Sequence, residues 1–191
     1  MNNKTSIRKR KLRERNSVSA EERKLSKGAL TTTFAKSTRA FKLNNVGIYF
    51  SIKNEAPTSG IIEYIEELGI ECYLPIISND SNLKVMRFSK YKKDNKLRNN
   101  KFGIPEPLDS TFIDLDSIDL FLLPLLAFDN RGYRIGMGMG YYDSTLLRHN
   151  SYKENKIWGV AYEFQEEENC YPKSHDLKLD AVLCPNGLRE F

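Results

Sequence analysis

A chain of 191 residues with 40% hydrophobic and 29% charged residues is long enough to bury one sizeable core and fits one domain. It lacks the run of roughly 20 apolar residues that a membrane span needs. Its net charge of +5 is local: seven of the 30 Lys and Arg, but one of the 25 Asp and Glu, lie in the first fifteen residues, leaving 23 against 24 for the rest. Such a patch suits a small polyanion at least as well as a duplex, which argues against a nucleic-acid-binding protein.

The predicted elements alternate between helix and strand. Ser6–Arg15 reads as a short charged helix with Lys4, Arg8 and Arg15 on one face and a thin apolar contact from Ile7 and Leu12. Ser19 followed by Glu22 is a capping box that opens a second helix through about Ser37, with Leu25, Ala29 and Phe34 inward. Val46–Phe50 is a buried strand. Thr58 or Ser59 caps a third helix that turns Ile61, Ile62 and Ile65 inward and stops at Gly69. Ile70–Ile77 is a strand, and Leu83–Tyr91 alternates as an antiparallel one. Lys92–Lys101 reads as a mobile polar loop, and Phe102–Pro107 as a proline-held segment that cannot be a central strand. Ile118–Phe128 is the most buried strand, a helix runs from Tyr141 to about Arg148, and Lys156–Tyr162 and Ala181–Cys184 are the last strands. The alternation implies an α/β sheet covered on both faces.

The most informative window is Leu123–Leu146. An apolar run enters a turn at Asp129–Gly132, and three further glycines follow at 136, 138 and 140 before Tyr141, Tyr142 and Asp143 open a helix. Glycine allows backbone N–H groups to approach a ligand closely, and a helix N-terminus adds partial positive charge. Arg131 and Arg134 supply full charges and Asp143 a hard oxygen for Mg2+, so the window describes a phosphate-and-metal cradle. The spacing GxGxG, without G-K-[ST], excludes a P-loop and the dinucleotide fingerprint. Glu55 follows its strand directly, where ligand crevices form. Asp176 and Asp180 precede the last strand, and either can join Asp143 on a metal. The histidines, His149 and His175, stand in no Ser/His/Asp or Cys/His pattern, which disfavours histidine-based nucleophilic catalysis; His149 suits a helix C-terminus. Cys72, Cys170 and Cys184 are odd in number and form no CxxC, and the basic N-terminus has no apolar stretch of a secretory signal. A reduced cytoplasmic protein is expected.

Arg134–Asp143 (RIGMGMGYYD) resembles the signature loop of the 5-formyltetrahydrofolate cyclo-ligase family. Three more segments are similar, in order: Lys4-Thr5-Ser6-Ile7-Arg8, Tyr49–Glu55 followed by Thr58, and Phe102–Pro107. The resemblance implies a three-layer α/β/α single domain over 1–191 with a mixed, mainly parallel sheet. It also implies conversion of 5-formyltetrahydrofolate to 5,10-methenyltetrahydrofolate with ATP and Mg2+, by a cytoplasmic monomer without nucleic-acid or membrane partners. By position, Lys4, Thr5, Ser6, Ile7, Arg8 and Arg134 through Tyr142 (Ile135, Gly136, Met137, Gly138, Met139, Gly140 and Tyr141 included) would bind ATP. Phe50, Glu55, Phe102 and residues 137–141 would line the folate site. Tyr142 and Arg134 would be catalytic, and Asp143 and Asp176 would hold the metal. Some family members carry charge between the loop glycines, where this chain has Met137 and Met139. The competing readings are another phosphate-ligand enzyme, with Glu55, Glu106 or a histidine as base, and a nucleic-acid-binding protein using the basic N-terminus.

Overall fold

The computed structural model describes residues 3–78, 84–108, 110–148 and 155–191. Helices α1 (Lys4–Asn16) and α2 (Ala20–Thr38) come first, followed by strand β1 (Asn45–Gly47) and helix α3 (Ser59–Glu67). Strands β2 (Glu71–Ile77), β3 (Met86–Tyr91), β4 (Leu97–Asn99), β5 (Pro105–Pro107), β6 (Phe112–Ile113), β7 (Leu120–Pro124), β8 (Ala127–Phe128) and β9 (Arg134–Ile135) follow. Helix α4 (Tyr141–Arg148) and strands β10 (Lys156–Val160), β11 (Ala181–Cys184) and β12 (Gly187–Glu190) follow, and short 3-10 turns lie at Leu115–Ser117 and Glu163–Gln165.

Eight strands form one sheet in the order β12-β11-β10-β7-β1-β2-β3-β6. The five from β11 to β2 are parallel to their neighbours, and β12, β3 and β6 pair antiparallel at the edges. Strand periodicity sends alternate residues to opposite faces. Val46, Leu74, Leu120, Leu122, Trp158 and Leu183 thus meet Leu30 and Phe34 of α2 and Ile61, Ile62 and Ile65 of α3. On the other face Phe121, Leu123, Ile157 and Val182 meet Leu146 of α4 together with Leu115, Phe128, Leu177 and Leu179. The fold is α/β with a mixed, mainly parallel sheet, as expected. A smaller core of Ile7, Ala127, Ile135 and Cys170 docks α1 on the β8–β9 hairpin.

Several expectations need correction. Leu25 is exposed and Ala29 half-buried; the inward row of α2 is Leu30, Phe34 and Thr38, spaced four apart. Helix α1 buries Ile7, Lys11 and Arg15, so its contact is largely charged and Leu12 is only half-buried. Strand β1 stops at Gly47 rather than Phe50, because the chain turns through positive φ at Lys53 and Asn54 and the Tyr49 carbonyl accepts the Thr58 hydroxyl at 2.6 Å. Ile118–Phe128 divides into β7 and β8 after Pro124, where Gln165 Nε2 donates to the carbonyls of Leu125 and Leu126. Lys92–Lys101 is not a plain loop: β4 lies inside it and pairs with β5. Glu106 fastens that ribbon to the sheet, accepting Ile77 N–H at 3.0 Å and Asn100 Nδ2 at 2.8 Å. Strand β12 was not expected. Leu83 and His149 lie outside the described residues, and no described helix is long and apolar enough to cross a membrane.

Candidate active site

A cleft of about 1560 Å³ opens at the carboxyl ends of β1, β2 and β7, the usual ligand crevice of an open α/β sheet. One wall is α1, presenting Lys4, Thr5, Arg8 and Arg15. A second is the loop between β9 and α4 together with the first turn of α4, continuous from Gly136 to Asp143. A third is formed by Tyr49, Phe50 and Glu55 after β1, and the β4–β5 ribbon adds Phe102.

The glycine loop owes its shape to backbone that other residues rarely adopt: φ is +94° at Gly138 and +75° at Gly140. Arg8 lies along it. Its Nε donates to the Gly136 carbonyl at 2.8 Å, and a Cβ on Gly138 would stand 3.6 Å from its guanidinium carbon. Met137 and Met139 are well exposed and line the cleft between the glycines. Arg134, 8% exposed, anchors the loop from behind, donating to Asp143 Oδ2 at 3.1 Å and to the Leu177 carbonyl at 3.2 Å. Asp143 Oδ1 accepts the Leu177 N–H at 3.0 Å.

Asp176 is held by Lys4, whose ammonium meets Oδ2, and by the Lys173 N–H at 2.6 Å. Burial pushes its carboxyl upward, but these donors outweigh burial and hold it below the ordinary carboxylate range. Glu55 behaves oppositely. Burial raises it, and the Ile52 N–H and the charges of Arg15, Arg23 and Lys53 offset only part of that. Burial, then the charge of Glu55, push the Tyr142 phenol well above its usual value, so it remains a hydrogen-bond donor at neutral pH. Phe50 packs edge-on to Tyr91 at 5.1 Å, and Phe102 edge-on to Tyr141 at 6.3 Å.

The structure thus brings Lys4, Thr5, Arg8, Phe50, Glu55, Phe102, Arg134, Gly136–Asp143 and Asp176 around one space. It takes others away from it. Ile7 and Ile135 are buried in the core under α1, and the Ser6 side chain completes the α1 cap with Asn3. Arg131 does not line the cleft. It pairs with Asp129 at 2.6 Å and Asn169 at 2.7 Å, bracing the hairpin turn in which Gly132 also lies. Asp180 likewise braces β10, accepting the Ile157 N–H at 2.7 Å, and does not line the cleft. Glu106 is committed to the ribbon and is no free base. Sequence reasoning missed Arg15, Tyr49 and Lys173 as lining residues. Arg15 was within reach, since it stands two helical turns beyond Arg8 on the same face; Lys173 sits in a segment with no periodic signal.

Among the described residues, no three or more His, Cys, Asp or Glu are grouped as a metal cage. Asp143 and Asp176 nevertheless offer hard oxygens to the same cleft. That donor set fits Mg2+, which takes one or two carboxylates and completes its shell with phosphate and water oxygens.

Comparison with known proteins identifies the family. A model of the 5-formyltetrahydrofolate cyclo-ligase family matches residues 1–185. The chain is similar to a 5-formyltetrahydrofolate cyclo-ligase of Haemophilus influenzae, at 33% identity over 73% of this chain and 74% of that protein. It is similar to one of Mycoplasma genitalium, at 32% identity over 98% of this chain and all of that one. The solved structure of Aquifex aeolicus 5,10-methenyltetrahydrofolate synthetase superposes with a TM-score of 0.80 at 26% identity, covering 98% of this chain and 92% of that one. A family match over almost the whole length, on a fold shared end to end, establishes that this chain belongs to the 5-formyltetrahydrofolate cyclo-ligase family of enzymes.

Proposed function

We propose that this chain converts 5-formyltetrahydrofolate to 5,10-methenyltetrahydrofolate, using ATP with Mg2+ and releasing ADP and phosphate. The size and polarity of the cleft support the reading best. At about 1560 Å³ it exceeds the roughly 300–1,000 Å³ of a single-ligand pocket, and its lining combines cations, a glycine loop, carboxylates and aromatic rings. Lys4, Arg8 and Asp176 stand with the glycine loop, and Glu55 with Phe50 and Arg15 lines another part of the same cleft. The whole chain, 1–191, acts as one α/β unit with α1 closing the nucleotide side.

A formamide carbonyl is a poor electrophile and its oxygen a poor leaving group. Transfer of the ATP γ-phosphoryl group to the formyl oxygen cures both faults. The N10 lone pair then attacks the formyl carbon, N10 gives up its proton, and the C–O bond breaks to release phosphate and close the ring. Such chemistry needs positioning and charge stabilisation more than a side-chain nucleophile. Lys4, Arg8 and the loop amides hold the phosphates, and Arg134 keeps Asp143 aimed at them. Asp143 and Asp176 would hold Mg2+, which would supply charge neutralisation at the phosphates. Glu55 accepts hydrogen bonds from the pterin, between Phe50 and Phe102. Tyr142, kept protonated, donates to the formyl oxygen. Met137 and Met139 pack on the flat rings of the substrates rather than neutralise phosphate, as flexible thioethers do. We read the enzyme as a cytoplasmic monomer, in keeping with three buried free thiols. The basic helix gives nucleic-acid binding little support, since Lys4, Arg10, Lys11 and Arg15 all meet carboxylates of the same chain.

The test follows absorbance of the methenyl product with 5-formyltetrahydrofolate, ATP and Mg2+. ATP-dependent product formation is expected, and its absence from folded protein overturns the reading. Lys4→Ala should raise the ATP KM about tenfold, the value of one charge-assisted hydrogen bond, and leave the folate KM within about twofold. An equal rise in both would remove Lys4 from the phosphate site.

A further inference from the structure

Glu55 is largely buried, and charge or hydroxyl faces it from four sides. Arg15 of α1 places Nη1 3.5 Å from its Oε1. Arg23 of α2 binds the chain behind the carboxylate instead, reaching the Glu55 carbonyl at 2.7 Å and Ser51 Oγ at 3.1 Å. Lys53 lies on the same turn and its charge acts on the carboxylate, while the charge of Glu55 in turn raises the phenols of Tyr49 and Tyr142, which stay neutral beside it. The Tyr162 hydroxyl donates to the Glu55 carbonyl at 3.3 Å. Of the two arginines, Arg23 therefore holds the loop, and Arg15 faces the carboxylate.

Arg15 is an expensive residue in its place. It is 3% exposed, and its Nε–H is buried without a hydrogen-bond partner. A leucine would pack α1 without that penalty, so the burial of a guanidinium points to a use for its charge. Its position supplies the use. Lys4 and Arg8 stand near the start of the same helix beside Asp176 and the glycine loop, about 17 Å of helix rise from Lys4 to Arg15.

We propose that Arg15 is a positioning residue for the pterin side of the reaction: it keeps the Glu55 carboxylate charged and aimed into the cleft, so one helix serves both substrates. This rests on the reading of Glu55 as the pterin-binding group. An ionised carboxylate is needed there because the pterin amide and amino groups are donors. Burial drives Glu55 toward protonation, and Arg15 opposes it. Without Arg15 the carboxyl takes up its proton at higher pH, and folate affinity fades earlier as pH falls.

The experiment measures kcat and both KM values for full-length Arg15→Met, Arg15→Lys and Glu55→Gln between about pH 6 and pH 8.5. Arg15→Met should raise the folate KM about tenfold at the acid end and within about twofold at the alkaline end, with the ATP KM unmoved. Arg15→Lys, which restores charge, should recover most of the acid-side affinity. A rise in both KM values at every pH shows that Arg15 merely docks α1, and it overturns the inference, as does an unaltered pH profile. Glu55→Gln separates the two levels. A raised folate KM in that variant upholds the Glu55 reading even if Arg15 fails, and an unchanged one removes both.

Discussion

Asp143→Asn should lower kcat by about 100-fold or more while the protein stays folded. Removing a group that stabilises transition-state charge, or that orients one, costs this much in comparable sites. The amide retains an oxygen for the Leu177 N–H, which Asp143 accepts at 3.0 Å, so the loop geometry survives. It loses the negative charge that faces Arg134 at 3.1 Å and that a cation would need. Leaving the guanidinium of Arg134 without its counter-charge costs about 1–3 kcal/mol of stability, or several degrees in Tm for a chain of this size. Steady-state absorbance with and without excess Mg2+, beside a thermal melt, separates the two effects. Unchanged turnover would remove Asp143 from the metal and phosphate assignment.

Trp158→Ala should be the most damaging of the substitutions considered to stability. Trp158 lies mid-strand in β10, which pairs with both β7 and β11, and is 2% exposed. It packs edge-on to Phe41 at 6.0 Å on the face that α2 and α3 cover. Truncating a buried tryptophan removes its transfer free energy and leaves a cavity, about 3–5 kcal/mol together. Against a total of about 5–15 kcal/mol, this lowers Tm by about 10 °C. Urea and thermal unfolding measure it, and a loss under about 1 kcal/mol would mean that this face is not the main core.

Local signals are legible in the sequence where they are self-contained. The Ser19–Glu22 capping box opens α2, with Glu22 N–H donating to Ser19 Oγ at 3.1 Å and Ser19 N–H to Glu22 at 2.8 Å. Helix α4 begins at Tyr141 and β11 spans Ala181–Cys184, as their flanking glycines and apolar runs predict. The rotation of α2 is not legible at Leu25, which is exposed, because which stripe of a weakly amphipathic helix turns inward depends on the sheet beneath it. The β4–β5 ribbon leaves no periodic signal in the sequence because its strands are polar and proline-rich, and they are held by pairing and by Glu106 rather than by burial.

The sequence alone determined the chemistry on offer: a glycine loop beside cations, a carboxylate after β1, acidic residues following that loop in the chain, and the family they belong to. It did so because glycine conformation, helix capping and strand periodicity are short-range properties carried by neighbouring residues. Only the tertiary structure decided which charges meet. Arg131 and Arg134 are the same residue three positions apart, yet one braces a turn through Asp129 and the other faces Asp143 across the base of the loop. Asp176 and Asp180 divide in the same way, one beside Lys4 and the other on β10. Arg15, read only as part of a basic face, was placed against Glu55, 40 residues away in the chain. Electrostatic partnership depends on distance and burial in space, and neither is written in the spacing of residues along the chain.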